Sequence, residues 1–127
     1  MIAGYTMEQG ITISKKVYRL KKSDWKPIRP GVTKGIVGKA LLPKGTKDVD
    51  VTVTRVEPGG EFSLHHDPYH HVFYIFQGKG DVCLGEDVYP IGPETIVEVP
   101  AGEVHAYRNK GDAEMILLTV NIPVETK

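Results

Sequence analysis

Apolar and polar residues alternate in short runs along most of the chain from about residue 49 onward. In the first of these runs Val49, Val51 and Val53 alternate with polar residues, which is the period-two pattern of a strand in a β-branched stretch. The later runs cover residues 72–76, 81–84, 88–91, 95–99, 104–108 and 114–122. Because turn residues separate them, the pattern predicts a series of short strands joined by tight turns.

Two of these segments need a specific interpretation. Residues 85–87 (Gly-Glu-Asp) stand between two strand-like runs, and this arrangement predicts a β-hairpin. Residues 114–122 contain Met-Ile-Leu-Leu and could be helical by composition, but their short length and flanking turns favour a strand. With 14 glycines and 9 prolines, we expect no long amphipathic helix in the chain.

Residues 1–48 are less regular than the rest of the chain. Residues 11–20 could form an edge strand, while scattered prolines and glycines indicate loops and short strands. Trp25 is interpreted as a packing anchor at one end of the core. The whole pattern predicts an all-β fold, an antiparallel sandwich or barrel, with an irregular N-terminal arm at 1–48 and barrel strands at 49–122.

Length and composition exclude several classes of protein. The 127 residues suit one compact domain, and 40% hydrophobic residues are too many for a disordered chain. No apolar run approaches the ~20 residues of a membrane span, and the first six residues lack the features of a signal peptide. A single cysteine, Cys83, excludes an internal disulfide framework and four-cysteine zinc modules. We therefore expect a soluble cytoplasmic protein without a membrane partner.

Charge is balanced in total but uneven along the chain. There are 16 basic and 16 acidic residues, yet residues 1–47 hold 11 Lys or Arg and only 2 Asp or Glu. A basic arm could contact nucleic acid. The preferred interpretation is that it lies across the acidic remainder of the same domain or of a second copy, because spaced lysines usually form a solvated face and the net charge is zero. We expect no nucleic-acid partner.

The histidines carry the chemical information in this sequence. All five lie between residues 65 and 105, and four of them fall within residues 65–71. His65 and Asp67 are two positions apart, so on a strand both side chains point to one face. Pro68 favours an extended conformation for Asp67, and His71 opens the next apolar strand. Neutral imidazoles and a carboxylate that converge in this way would form a site for a divalent metal ion.

The spacing of these residues resembles the two sequence motifs of the cupin superfamily. The first motif has a glycine, two histidines, a glutamate and a second glycine, and its positions are held here by Gly59, His65, Asp67, His71 and Gly78. The second motif ends in proline, glycine, histidine and asparagine, which correspond to Pro100, Gly102, His105 and Asn109. Glu94 stands where the leading glycine of the second motif belongs. The resemblance implies a double-stranded β-helix (jelly-roll) barrel, with the whole chain, 1–127, as a single cupin domain.

The resemblance also implies a metal site. In it the carboxylate stands at the position of the second histidine, and a histidine stands at the position of the glutamate. The corresponding ligands are His65, Asp67, His71 and His105, three histidines and one carboxylate. Asp67 could bind the ion directly, act through water or orient a neighbouring ligand, and the alternative is a turn residue before Pro68. The other two histidines of the segment, His66 and His70, have the opposite parity; we expect them to point away, and they would replace Asp67 if it does not reach the ion.

Such a donor set suits one divalent ion of Fe, Mn, Ni, Cu or Zn, and the sequence does not choose among them. The ion would lie at one end of an apolar cavity that residues such as Phe73, Ile75 and Tyr107 line, which describes a pocket for a small organic ligand.

Three functional hypotheses follow from the resemblance. The first is a metal-dependent enzyme acting on a small molecule, most readily of the oxygenase type, with dioxygenase, decarboxylase and isomerase activities all open. The second is a module that senses or carries a small ligand without catalysis. The third is a structural barrel with a vestigial metal site. The resemblance further implies a homodimer, in which the N-terminal segment crosses the sheet of its partner.

Overall fold

The structure, a computed structural model, describes residues 11–14, 17–21, 24–42 and 49–124. Within them the chain forms eleven β-strands. The strands are β1 (Ile11–Ser14), β2 (Val17–Arg19), β3 (Lys26–Pro27), β4 (Thr33–Ala40), β5 (Asp50–His65), β6 (Tyr69–Gln77), β7 (Gly80–Leu84), β8 (Asp87–Ile91), β9 (Ile96–Val99), β10 (His105–Asn109) and β11 (Met115–Pro123). In this part of the chain no helix is long and apolar enough to cross a membrane. Residues 1–6, which entered the expectation of a cytoplasmic protein, lie outside the described residues.

Nine strands form one antiparallel sheet that curls on itself. The order along it is β8-β7-β10-β5-β11-β6-β9, and β4 pairs with both β5 and β3. The long strand β5 connects the two halves: residues 50–56 pair with β11, and residues 61–65 pair with β10. Between these parts Gly59 has a φ of +80°, a conformation that glycine adopts without the steric cost of a Cβ atom. The result is the jelly-roll barrel that the resemblance of the sequence motifs implies, and it confirms the antiparallel barrel that the strand pattern allows.

Several predicted elements are confirmed. Strands β7 and β8 form the expected hairpin, in which Leu84 pairs with Asp87 and Gly85 occupies the turn with a φ of +62°. Residues 115–123 form a strand that lies between β5 and β6. The segment 11–20 differs from the expectation, because β1 and β2 pair with each other in a separate two-stranded sheet and so satisfy their backbone hydrogen bonds locally.

The core fills one part of the barrel interior. Val56, Ile75, Met115 and Leu117 are each at most 1% exposed and come from β5, β6 and β11. Trp25 is not part of this core. Its ring is half-buried and packs beneath two cations, with the Lys39 ammonium 4.9 Å and the Arg55 guanidinium 5.0 Å from its centroid. The aromatic face therefore gains cation–π contacts outside the barrel interior.

Asn109, from the second motif, fastens the turn that follows β10. Its Nδ2 donates hydrogen bonds to the carbonyl oxygens of Val56 and Ala113 at 2.9 and 2.8 Å, and its Oδ1 accepts one from the Gly111 N–H at 2.9 Å. Because the side chain is only 2% exposed, these bonds replace water for a buried amide and hold the end of β10 in place.

Candidate metal centre

His65 and His105 are direct neighbours across two paired strands. His65 ends β5, His105 begins β10, and the register of the two strands places these residues opposite each other. Opposed residues of an antiparallel pair project to the same face, and the two ring centroids are 4.2 Å apart. Sheet pairing thus joins two histidines that are 40 positions apart in the sequence.

Backbone carbonyl groups determine the tautomer of both rings. Nδ1 of His65 lies 2.6 Å from the Ser63 carbonyl oxygen, and Nδ1 of His105 lies 2.9 Å from that of Glu103. A carbonyl oxygen only accepts, so each Nδ1 carries the proton and each neutral ring presents a lone pair at Nε2. Nε2 of His105 is buried and has no hydrogen-bond partner among the described residues. A buried lone pair in this state is free to bind a water molecule or a metal ion.

The Asp67 carboxylate lies between the histidines and a guanidinium group. Its side chain is 7% exposed. One oxygen, Oδ2, lies 2.8 Å from Nε2 of His71 and 3.3 Å from Nε2 of His65. The other oxygen, Oδ1, accepts a hydrogen bond from Nη1 of Arg29 at 2.9 Å. Burial acts to raise the pKa of this carboxyl, but its contacts with the histidines and with Arg29 act in the other direction, and the net effect holds the pKa below its usual value. The group is therefore ionised near neutral pH.

His71 connects this carboxylate to β11, the strand that pairs with β6. Its Nδ1 lies 2.7 Å from Oδ1 of Asn121 on β11, its Nε2 faces Asp67, and its ring centroid is 5.0 Å from that of His105. One ligand atom each from His65, Asp67 and His105 lies within 4.8 Å of the other two. Of the four residues named from the sequence, three thus converge as a triplet, and His71 contacts the carboxylate of that triplet.

The protonation states suit a transition-metal ion. Burial is the largest influence on both His65 and His105, and it lowers the pKa of each imidazole below its ordinary value. Near pH 7 the triplet therefore combines two neutral imidazoles with one carboxylate. Divalent transition metals take these donors, and the unpartnered Nε2 of His105 offers such an ion a lone pair. The residues present fit the metal that the sequence resemblance implies.

The triplet lies on the wall of a cavity of about 130 Å³. This is well below the roughly 300 Å³ at which pockets for drug-sized ligands begin, so the cavity suits a small molecule. Phe73 and Tyr107 line it together with Phe62. Ile75, which the sequence analysis also placed on the wall, is not among the lining residues; it is two positions beyond Phe73 on β6 and fully buried in the core.

Polar residues form another part of the cavity wall, and the sequence analysis did not identify them. They come from β5 and β11 and are Thr52, Thr54, Thr119 and Asn121. The alternation along residues 49–54 shows that the two β5 threonines share a face, but not that this face is the interior. Arg29, also on the wall, belongs to the N-terminal arm, where no motif singles it out.

The two remaining histidines are exposed, as expected from their parity. Nδ1 of His70 nevertheless accepts a hydrogen bond from the Ala101 N–H at 3.0 Å, and the Asp67 carbonyl accepts one from the Gly102 N–H at 2.8 Å. These two bonds attach the turn before His105 to the segment that carries Asp67. His66 forms no such hydrogen bond with the part of the chain that the structure describes.

Comparison with known proteins identifies the family. A sequence profile of the cupin domain matches residues 52–121, which is more than half of the chain. The chain belongs to the cupin family. The match covers both motifs and the strands from β5 to β11. That this cupin domain extends over the whole chain, 1–127, stays a prediction.

Curated relatives and solved structures show what this cupin is similar to. It is 23% identical over 120 residues to auxin-binding protein 1 of Arabidopsis thaliana, a match that covers 87% of the chain and 59% of that protein. It is 27% identical over 66 residues to the 5-nitrosalicylic acid 1,2-dioxygenase of Bradyrhizobium sp, covering 52% of the chain and 32% of the dioxygenase. The chain thus spans about three fifths of the length of the auxin-binding protein and about a third of the length of the dioxygenase.

Among solved structures, the polyketide cyclase RemF from Streptomyces resistomycificus superposes on this cupin with a TM-score of 0.70. The sequences are 22% identical, and the match covers 81% of this chain and 77% of RemF. At this identity the likeness concerns the fold, which is that of a cupin barrel.

Proposed function

We propose that this cupin binds one divalent transition-metal ion through His65, Asp67 and His105, with His71 as a further ligand or as the support of the carboxylate. The ion and the cavity together would hold a small organic molecule for a metal-dependent reaction of the oxygenase type. The observation that carries the proposal is the buried Nε2 of His105, which has no hydrogen-bond partner in the described part of the chain. Fe, Mn, Ni, Cu and Zn all suit these donors.

The residues around the triplet have distinct tasks in this proposal. The Ser63 and Glu103 carbonyls hold each Nδ1 proton, so both Nε2 lone pairs are available without rotation of the rings. Phe62, Phe73 and Tyr107 form an apolar wall that excludes water, while the threonine hydroxyls offer hydrogen bonds to ligand oxygens. A bound ion would polarise a carbonyl group or lower the pKa of a bound water.

Metal content is the first test of the proposal. Protein purified without an affinity tag is expected to hold close to one Fe, Mn, Ni, Cu or Zn per chain, measured by inductively coupled plasma mass spectrometry. His105→Ala removes the unpartnered nitrogen and is expected to lose the metal. His66→Ala is the matched control, because this exposed histidine lies next to His65 in sequence but outside the cavity. Equal metal content in wild type and His105→Ala would contradict the proposed site.

Oxygen consumption tests the enzymatic part. Catechol-like and diketone compounds, which offer two oxygens to one metal ion, are the substrates to try first, together with 5-nitrosalicylic acid, the compound in the name of the similar 1,2-dioxygenase. Oxygen uptake is measured with an oxygen electrode on metal-loaded protein. Turnover in wild type that disappears in His105→Ala would support the oxygenase reaction. Metal binding without turnover of any compound in the series counts against it.

The second candidate is a protein that binds a small ligand without chemistry. The similarity to auxin-binding protein 1, which extends over 120 residues, favours it, because that relative is named for a ligand that it binds. The same compounds separate the two candidates. A ligand-dependent rise in melting temperature without oxygen uptake or product formation would favour the binding protein.

Homodimer formation and a cytoplasmic location stay predictions within this proposal. An apolar row on the outer face of the sheet supports a dimer: Leu64, Ala106, Cys83 and Val88 come from β5, β10, β7 and β8 and line one shallow groove. Leu64 is 61% and Val88 63% exposed, and such neighbouring apolar side chains often mark an interface. Light scattering on Val88→Lys, compared with wild type, tests the dimer, and cell fractionation tests the location.

A further inference from the structure

Arg29 brings a permanent positive charge to the wall of the cavity. It lies between β3 and β4, outside the residues that match the cupin profile. Among the residues that line the cavity in the described part of the chain, it is the one lysine or arginine. The motifs specify no cation at this place, and a guanidinium group is not itself a metal ligand and repels a bound cation.

The backbone at Arg29 is held in an unusual conformation. Its φ is +41°, in the left-handed region that side-chain-bearing residues rarely adopt. Its carbonyl oxygen accepts hydrogen bonds from the Val32 N–H at 2.9 Å and from the Thr33 hydroxyl at 3.2 Å. Strained conformations persist where surrounding contacts maintain them, and they concentrate at functional sites. Here the conformation accompanies a side chain that reaches the cavity.

The guanidinium group is placed to contact a ligand as well as Asp67. Nη1 donates a hydrogen bond to Oδ1 of Asp67 at 2.9 Å. This bond uses one of the five N–H donors of the guanidinium group, so the other terminal nitrogen can donate to a ligand. The side chain is 45% exposed, so it lies where the cavity opens to solvent. The guanidinium carbon is 5.6 Å from the centroid of the Phe62 ring, which limits the movement of the group.

We propose that Arg29 binds the acidic group of the cavity's ligand, and that this ligand is a small aromatic carboxylate. The inference rests on the proposed function, since both use one cavity. A divalent ion together with Arg29 exceeds the single negative charge of Asp67, so the filled site has an excess of positive charge that an anionic ligand neutralises. Arginine is suited to this task because its planar donors match the two oxygens of a carboxylate.

The shape of the cavity supports an aromatic carboxylate over an aliphatic one. Phe62, Phe73 and Tyr107 surround the space next to the triplet, with the Phe73 and Tyr107 rings edge to face at a centroid distance of 5.6 Å. Aromatic side chains pack a planar ring well, and a volume of about 130 Å³ suits a single ring. Arg29 at the opening would then bind the acidic group.

A pair of nearly isosteric probes tests the charge preference. Benzoate and benzamide have almost the same shape, but only benzoate is charged at pH 7; phenylacetate and phenylacetamide form a second pair. Their dissociation constants are measured by isothermal titration calorimetry on wild type, Arg29→Gln and Arg29→Lys, each with and without Ni²⁺. Arg108→Gln is the matched control, because it removes the same charge from an exposed position outside the cavity.

Wild type is expected to bind each acid roughly tenfold or more tightly than its amide, the size expected of a charge-assisted hydrogen-bonded pair. Arg29→Gln is expected to reduce this ratio to near one, Arg29→Lys to keep part of it, and Arg108→Gln to leave it intact. Absence of an acid preference in wild type for both pairs, or its persistence in Arg29→Gln, would overturn the inference.

The Ni²⁺ titrations separate this inference from the proposed function. Arg29→Gln is expected to bind Ni²⁺ with an affinity close to that of wild type, because it removes both a neighbouring positive charge and a hydrogen bond that orients Asp67, and these two effects oppose each other. If wild type binds no Ni²⁺, the metal site is wrong whatever the probes do. If Ni²⁺ binds but acids and amides bind alike, only the role of Arg29 is wrong.

Discussion

Nε2 of His71 lies 2.8 Å from Oδ2 of Asp67, and this same oxygen lies 3.3 Å from Nε2 of His65. A single carboxylate oxygen is thus within reach of two imidazoles. The other oxygen accepts a hydrogen bond from Arg29. Asp67 therefore joins the two histidines to the arginine at the opening of the cavity, and its negative charge is the feature on which these contacts depend.

Asp67→Asn tests that charge with almost no change of shape. The amide does not coordinate a cation as strongly as the carboxylate, so Ni²⁺ affinity measured by calorimetry is expected to fall by about 10- to 100-fold, with a greater loss if Asp67 is a direct ligand. Asp81→Asn, which changes a partly exposed aspartate paired with Lys110, is the control. Unchanged affinity in Asp67→Asn would leave Asp67 as a turn residue only.

A second prediction concerns the exposed His70 as a positioning residue. His70→Ala removes the acceptor for the Ala101 N–H and so loosens the turn that precedes His105. Ni²⁺ affinity is expected to fall by about tenfold, the lower end of the effect of groups that orient metal ligands. His70→Gln, which offers an amide oxygen in place of Nδ1, is expected to recover part of the affinity. Equal loss in the exposed-site control His66→Ala would show that the effect is not specific.

The barrel could be predicted from the sequence because its information is local. Period-two alternation and turn residues identify the strands, and the hairpin of β7 and β8 follows from residues 85–87. His65, Asp67 and His71 lie within one short segment, so their proximity could be predicted from the sequence. The prediction that Asp67 shares a strand with His65 was wrong, because β5 ends at His65 and Asp67 lies in the short segment before β6. His105 required the resemblance to the cupin motifs, since no local rule pairs it with His65.

The polar wall and the arginine depend on contacts that the sequence does not specify. Thr52 and Thr54 alternate with valines, and either face of such a strand could be the buried one. The structure buries Thr54, which is 2% exposed, and leaves its valine neighbours half-buried. Arg29 reaches Asp67 across 38 positions, from a segment without strand periodicity. Only tertiary structure brings these groups to the cavity.

The stability of the protein at alkaline pH is expected to depend on Tyr107. Its side chain is 6% exposed, and burial raises the pKa of its hydroxyl well above the ordinary value of 10. The folded state thus holds this proton more tightly than the unfolded chain, so the stabilisation is complete below pH 10 and is lost as the pH rises through and above that value.

Urea unfolding between pH 8 and 11 measures this effect. Tyr107→Phe is expected to retain about 1 kcal/mol more of its neutral-pH stability than wild type at pH 11. Tyr89→Phe, which removes an exposed hydroxyl, is the control. Parallel pH profiles for wild type and Tyr107→Phe would show that the Tyr107 hydroxyl ionises as readily in the folded protein as in the unfolded chain.

Glu94, which replaces the leading glycine of the second cupin motif, provides the last prediction. Its φ is +65°, a conformation that favours glycine, while its N–H donates a hydrogen bond to the Ile75 carbonyl at 2.9 Å. Glu94→Gly relieves the strain, and this gain exceeds the entropy that glycine loses on folding, so the free energy of unfolding is expected to rise by about 1 kcal/mol. Glu98→Gly, at an exposed position within β9, is expected to lower it instead. If both variants are destabilised alike, Glu94 is not strained. If the free energy of unfolding of Glu94→Gly rises and its Ni²⁺ affinity is unchanged, this departure from the motif costs stability and leaves the metal site unaffected.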